Sequence, residues 1–416
     1  MTPLSGKSYP SPRWSGELLD CSMPMTFDTY SNCAFKCLYC FSQFQRGLGA
    51  CGKRYRAGSV SAVNPERVMK LFRDPSGSAF EPLIRDRVPL QWGGLSDPFD
   101  EVEREHRIGL RLLRFFREIQ YPICFSTKGT WWTEDAEYVE TFRGAAHFNV
   151  KVSIITLDPG AAKVIEVGVP SPLERLLAIQ RIVSWGGVTA TLRLRPFIIG
   201  ISSPRHTELI DRAADAGATA LSTEFLCVER RAPWFREKLR TMSRFTGGLD
   251  LWEFYKRHSP QSGYLRLNRN IKRRYVDEMQ VACDRRGLRF YVSDAHFKER
   301  CANGSCCGLP PSWNYLRGQF TEAIQIAKQT GRVTWSDMEK HLGYARQSLI
   351  RLNGGTTGKM EVDALWHGKS TFDYIRSVWN SPMVGKSPMK MYEGILMPEG
   401  LDANGNVVYR YNKEAE

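Results

Sequence analysis

Between residues 88 and 293 the chain alternates short apolar or β-branched runs with longer stretches in which apolar positions recur every three or four residues. A period of two marks a strand and a period of 3.6 a helix. Strands are predicted at 88–92, 123–127, 148–155, 189–194, 221–226 and 288–293, with an earlier one near 25–27. Helices are predicted at 104–120, 134–142, 171–185 and 203–216. Strands separated by helices predict repeated βα units around a parallel sheet. In parallel barrels the chemistry gathers at the carboxyl ends of the strands, where Gly93, Gly94, Lys128 and Asp294 fall.

The pattern changes after Pro310-Pro311. A helix is predicted at 320–330, a short one capped by Thr334 or Ser336 runs to 342, and a third from Gly343 to 352 carries Arg346, Gln347, Ser348 and Arg351. This predicts a helix-turn-helix-like unit, with the Gly-rich run 353–359 as the start of a wing. Small three-helix units also serve as structural caps. Turn residues at 402–406 predict a terminal hairpin. The expected organisation is an N-terminal extension (1–24), a barrel (25–310) and a mostly helical C-terminal domain (311–416).

A chain of 416 residues, 42% apolar, buries a sizeable core. No apolar run approaches a membrane span, and Met1 to Gly6 lacks a signal-peptide pattern, so no membrane partner and a cytoplasmic location are expected. The sequence does not set an oligomeric state. In a reducing compartment the eleven cysteines suit metal binding better than a disulfide framework. The net charge is +14, and residues 230–274 hold thirteen Lys or Arg against three acids. Trp234, Phe235, Phe245, Trp252, Phe254, Tyr255 and Tyr264 lie among those cations. Cations that neutralise phosphates, mixed with rings on which bases stack, predict a nucleic-acid footprint, DNA in particular. The plain alternative is a pair of solvated helices whose aromatics face the core.

The most specific chemistry is the run Ser31-Asn32-Cys33-Ala34-Phe35-Lys36-Cys37-Leu38-Tyr39-Cys40-Phe41. Iron–sulfur clusters are ordinarily held by four thiolates, so C-x3-C-x2-C on one loop leaves one iron of a cubane open to another ligand. A zinc knuckle needs a fourth Cys or His nearby, and only Cys51 is close. The run from Gln91 to Asp100, leading to Glu103, is the second signal, since two glycines at a strand end permit close backbone approach. Cys301, Cys306 and Cys307 form a second cysteine group, for which an auxiliary cluster, a zinc site, a redox pair and a hydrogen-donor thiol are all open.

The cysteine spacing and its flanking aromatics resemble the cluster loop of the radical-SAM superfamily. Ser96-Asp97-Pro98 followed by an aromatic and an acid resembles the DNA-repair-photolyase-like members, to which spore photoproduct lyase is related. Ser126-Thr127-Lys128, Val152-Ser153-Ile154, Val169 to Leu176 with its Pro-Ser-Pro-x-Glu-Arg pattern, and Leu194-Arg195-Pro196 resemble further family segments. The resemblance runs from residue 25 to about 230 and more loosely to Ser293-Asp294-Ala295-His296. It implies a partial (β/α)6 barrel and a [4Fe-4S] cluster on Cys33, Cys37 and Cys40. It also implies S-adenosylmethionine (SAM) contacts among Tyr39, Gly93, Gly94, Ser126, Lys128, Ser153, Arg193 and Arg195. Of the two arginines, one is expected to face the interior and the other the helices. Reductive SAM cleavage to a hydrogen-abstracting radical, fed by an electron donor such as a flavodoxin or ferredoxin, is the implied activity. Asp97 and His296 are candidate catalytic residues.

In one respect the chain departs from that pattern. Spore photoproduct lyases place a hydrogen-donating cysteine two residues before the Ser-Asp pair, where this chain has Gly94. Cys301, Cys306 or Cys307 is the candidate substitute donor. The expected function is hydrogen abstraction from a thymine-derived base in DNA, for modification or repair. Modification of a peptide or small molecule, or a non-catalytic iron–sulfur DNA sensor, are the alternatives.

Overall fold

The computed structural model describes residues 2–15, 20–45, 50–260, 264–346, 370–381, 387–392 and 394–415. Its main sheet has eight strands in chain order: β1 (Arg13–Trp14), β2 (Met25–Phe27), β3 (Leu90–Trp92), β4 (Ile123–Thr127), β5 (Phe148–Ser153), β6 (Thr189–Phe197), β7 (Ala220–Phe225) and β8 (Arg289–Val292). β1 runs antiparallel to β2, whereas β4 to β7 pair in parallel. Helices Ala136–Phe142, Pro172–Ser184 and His206–Asp215 separate these parallel strands, the α/β alternation expected from the sequence. Every residue of β4 and β5 is buried, as in a parallel sheet covered on both faces.

One predicted helix is divided. The stretch expected at 104–120 forms Glu101–His106 and Ile108–Glu118, broken at Arg107, whose φ is 53°. The break has a local cause. Glu103 folds back and accepts from the amides of Gly109 and Leu110, both at 2.8 Å, so its carboxylate caps the second helix.

The chain divides into two compact units. The first comprises Met1–Ser11, Asp28–Pro65 and Trp92–Phe290, the second Pro12–Phe27, Glu66–Gln91 and Tyr291–Glu416. In the second, β10 (Leu396–Leu401) and β11 (Val407–Tyr411) form an antiparallel hairpin, and β9 (Arg332–Val333) pairs with β11. Trp379 packs there at 4.9 Å from Tyr409 and 5.9 Å from Trp335. Buried Asp20 pairs with Lys298 at 3.0 Å and accepts from Thr321 and Tyr392. The helices Phe320–Thr330 and Trp335–Glu339 are followed by a 3-10 turn, Gly343–Arg346. The rest of the expected third helix and the Gly-rich run lie outside the described residues. Among the described residues no helix is long and apolar enough to cross a membrane.

Candidate active site

The cysteine loop lies in the first unit and is fastened on several sides. Asn32 Oδ1 accepts from the Cys33 amide at 2.8 Å while its Nδ2 donates to the Tyr55 and Ser59 carbonyls. The amides of Lys36 and Leu38 donate to the carbonyls of Val167 and Ile165, each at 2.9 Å. On another side the Ala34 amide donates to Asp100 Oδ2 at 2.5 Å. Asp100 Oδ1 meanwhile caps Glu101–His106 through Val102 N and Glu103 N. Asp100 therefore joins the cysteine loop to the start of that helix.

The glycine run after β3 is held in the same way by buried acids. Asp28 Oδ1 accepts from the amides of Leu95 (2.8 Å) and Ser96 (3.0 Å), and Ser42 Oγ donates to the Leu95 carbonyl at 2.7 Å. Asp97, proposed from sequence as catalytic, receives Thr127 Oγ1 at 2.7 Å, the Lys128 amide at 2.6 Å and the Phe99 amide at 3.0 Å. Both its oxygens clamp the run to the end of β4. Gly93 has φ +92°, and a Cβ there would stand 2.4 Å from the Ser126 carbonyl oxygen. Glycine is thus required by the approach of this run to β4, whatever else it touches.

Tyr39 is buried, and its hydroxyl donates to Glu166. Glu166 pairs with Arg175 at 2.6 Å, and Arg175 Nη1 donates to the Ser153 carbonyl at 2.7 Å. Lys128, at the end of β4, sets its ammonium group 5.7 Å from the centre of the Tyr39 ring. Arg193 Nη1 donates to Ser153 Oγ at 3.3 Å, whereas Arg195 pairs with Glu224. The expectation that these arginines face opposite ways does not survive the geometry of a strand, where residues two apart share a face.

In register, Ser126 of β4 lies beside Lys151 of β5, which lies beside Thr191 of β6, and Ser153 of β5 lies beside Arg193 of β6, which lies beside Ser222 of β7. Two polar rows, each crossing three strands, thus lie on one face of the sheet. Lys151 and Ser222, both buried, were missed by sequence reading. Their signal was a polar residue at alternate positions of an otherwise apolar run.

The thiols fit an iron–sulfur cluster. Cys37 is buried, while Cys33 and Cys40 are partly exposed. Burial pushes the Cys33 thiol well up and that of Cys37 to about 12, with Lys128 pulling the latter back down. Such thiols stay protonated until a metal displaces the proton. Among the described residues no three His, Cys, Asp or Glu are placed to hold a single metal ion.

Other expected residues lie in the second unit. His296 Nδ1 stands 3.7 Å from Asp294, whose carboxylate also accepts from the His296 amide. The Cys301 thiol is engaged by the backbone of Val292, at 3.3 Å from its nitrogen and 3.2 Å from its oxygen. Cys306 and Cys307 have their sulfurs 3.9 Å apart. With the Cys301 thiol taken up by the Val292 backbone, a second metal or cluster at Cys301, Cys306 and Cys307 has no structural support.

The basic stretch differs in part from its expected footprint. Phe235 and Tyr255 are buried, and Lys272 is buried 5.7 Å from the Phe225 ring. Trp234 stacks on Phe44, and Trp252 carries the Arg236 guanidinium at 5.2 Å. The rings largely serve the chain's own packing.

No family model and no curated protein sequence matches the chain. Among solved structures it is similar to spore photoproduct lyase complexed with dinucleoside spore photoproduct, at 14% identity over 68% of this chain and 80% of that one, with TM-score 0.48. It is similar to a double mutant of spore photoproduct lyase with bound AdoMet and the same dinucleoside, at 14% identity over 66% and 77%, TM-score 0.49. It is also similar to SuiB of Streptococcus suis bound to S-adenosylmethionine, at 14% identity over 67% and 52%, TM-score 0.42. These are similarities in the path of the chain, at identities that leave the chemistry to the residues themselves.

Proposed function

We propose that the chain is a radical-SAM enzyme that abstracts hydrogen from a nucleic-acid base, with thymine-derived positions in DNA as the target. The observation that supports this best is the C-x3-C-x2-C loop, fastened by Asp100 and by the Ile165 and Val167 carbonyls. Cys33, Cys37 and Cys40 are the residues that would hold a [4Fe-4S] cluster. When bound, the cluster and SAM together supply reductive cleavage and the hydrogen abstraction that follows from it.

The chain's own residues bind and orient. Lys128 and Arg193 are the cations suited to the carboxylate of SAM, since charge-assisted hydrogen bonds are the strong ones. Ser126, Ser153 and the amides around Gly93 and Gly94 are the neutral partners, and Asp97 positions Lys128 by holding its amide. Tyr39 acts through Glu166 to fix the loop. Gly94 stands where a hydrogen-returning thiol is expected for dimer repair, so modification of a base fits this chain better than restoration of one. A base paired within a duplex is out of reach, so the substrate is single-stranded or flipped. A flavodoxin- or ferredoxin-like protein would deliver the electron.

The test is anaerobic. The reconstituted, reduced protein is given SAM and DNA carrying deuterated thymine methyls, and the 5′-deoxyadenosine is analysed by mass spectrometry. Deuterium in that product is the expected result. Cleavage without deuterium would remove the thymine methyl as hydrogen source, and no cleavage, or cleavage that persists in Cys33→Ala, would overturn the assignment.

A further inference from the structure

Lys238, on the helix Pro233–Ser243, is half-buried, and its ammonium group turns back toward the segment that follows the cysteine loop. There it donates to Gln43 Oε1 at 2.5 Å, and Gln43 Nε2 donates to the Cys37 carbonyl at 3.3 Å. The ammonium lies 5.2 Å from the centre of the Trp234 ring, and the Arg56 guanidinium lies 5.7 Å from the same centre. Phe44 stacks on Trp234 at 5.2 Å and 22°, with Phe235 edge-on to Phe44 at 4.6 Å. Two cations from different segments are thus propped on one fixed ring at the border of the cysteine loop.

Among the described residues no carboxylate lies within ion-pair distance of Lys238, whose ammonium meets the Gln43 amide oxygen and the Trp234 ring. Burial works against its charge, and the nearby Cys40 and Cys37 thiols favour it. Keeping a half-buried cation charged is costly, and the cost falls further when an anion completes the site. Lys and Arg together suit phosphate, the one as a point charge and the other as a fork. Lys256 and Arg257 on the helix Leu251–His258 are exposed, and Arg236 on the same helix as Lys238 is exposed and pairs with Glu253 at 3.9 Å. Trp234 already has Phe44 on it, so a base does not need to stack there for a strand to be held.

We propose that Lys238 and Arg56, propped on Trp234, form a site for a backbone phosphodiester of the polynucleotide substrate, fixing the strand at the edge of the cysteine loop. This rests on the nucleic-acid reading above. The contact is sequence-independent, because phosphate contacts position a strand and carry no base information.

The experiment measures binding of the full-length protein to a fluorescent single-stranded 20-mer over a series of salt concentrations. For single strands log K falls with log[salt] by about 0.7 per phosphate neutralised. Lys238→Gln and Arg56→Gln should each flatten the slope by about 0.7 and together by about 1.4, uniformly across sequences. Lys238→Arg should retain the wild-type slope. So should Arg285→Gln, a control on an arginine paired with Asp211. An unchanged slope in the double variant overturns the site while leaving the nucleic-acid reading intact. Lys238→Gln that weakens SAM retention without altering the slope overturns it also, assigning the ammonium to the cofactor. Wild-type protein that cleaves SAM but shows no salt-dependent affinity for DNA sinks the nucleic-acid reading and the site with it.

Discussion

Arg175 and Glu166 form an ion pair that solvent does not reach: their side chains are 0% and 1% exposed, with Nη2 and Oε2 2.6 Å apart. Each also serves another element. The second oxygen of Glu166 accepts from Tyr39 of the cysteine loop, and the second terminal nitrogen of Arg175 donates to Ser153 at the end of β5. The pair thereby couples the loop that would hold the cluster to the strand ends that would hold SAM.

Removal of Arg175 should be severe. Arg175→Ala leaves Glu166 buried and unbalanced, a change that costs about 3–5 kcal/mol. Tyr39→Phe removes one donor to a charged acceptor and should cost about 1.5–3 kcal/mol. Urea unfolding of the apo chain measures both. Since both act on Glu166, the two losses should not add in the double variant. A loss under about 1 kcal/mol for Arg175→Ala, within the range of surface changes and mild truncations, would mean that the pair is solvated.

Glu103 offers a test of how one carboxylate shapes the neighbourhood. Each of its oxygens faces one hydroxyl and one amide: Oε1 takes Tyr138 OH (2.6 Å) and Leu110 N (2.8 Å), and Oε2 takes Tyr30 OH (2.7 Å) and Gly109 N (2.8 Å). A tyrosine hydroxyl can turn and accept, but an amide cannot. Glu103→Gln therefore sets an NH2 group against a backbone N–H in either orientation, leaving at least one buried donor unmet at about 1–3 kcal/mol. Thermal or urea denaturation should show that loss, and a neutral Gln variant would contradict the four-donor geometry.

Local pattern and side-chain chemistry made much of this molecule legible in the sequence. The strands β4 to β7 followed from apolar runs, and the cysteine loop stood out by its C-x3-C-x2-C spacing. What stayed hidden was the choice of partners by buried acids. Tyr39 finds Glu166 across 127 positions of the chain, and Asp97 finds the Lys128 amide across 31. No local pattern records such pairings, so the hold of Asp97 on the glycine run was not legible beside its reading as a catalytic candidate. Arg107 was hidden for a related reason. The apolar period carries on through 104–120, while the break is set by Glu103 reaching forward to two amides. The aromatics of 234–264 read as stacking surfaces because composition does not show that Phe44 already lies on Trp234.

The glycine run makes a sharper prediction than its composition does. At Gly93 an alanine must adopt φ +92° and place Cβ 2.4 Å from the Ser126 carbonyl oxygen, a backbone atom that cannot swing away. Left-handed strain and overpacking together should cost about 2–4 kcal/mol. Gly405→Ala is the control, since Gly405 has φ +76° with nothing within 4 Å of the added Cβ, and strain alone should cost about 1 kcal/mol. Chemical denaturation of both variants separates the two terms. Equal losses would show that the approach of the run to β4 is not what demands glycine at 93.

Metal content distinguishes the two cysteine groups. Cys33, Cys37 and Cys40 sit on one loop whose amides are tied down on either side, whereas the Cys301 thiol is occupied by the Val292 backbone and Cys306 and Cys307 meet each other. Adjacent cysteines hold a shared metal only with poor geometry. Anaerobic reconstitution should therefore load about four irons and four sulfides per chain, the content of one cubane. A Cys33→Ala, Cys37→Ala, Cys40→Ala triple variant should bind close to none. The corresponding triple variant at 301, 306 and 307 should keep the full complement and the cluster's visible absorption. About eight irons in the wild type, falling by half in that second variant, would instead establish a second cluster and move those thiols into the chemistry.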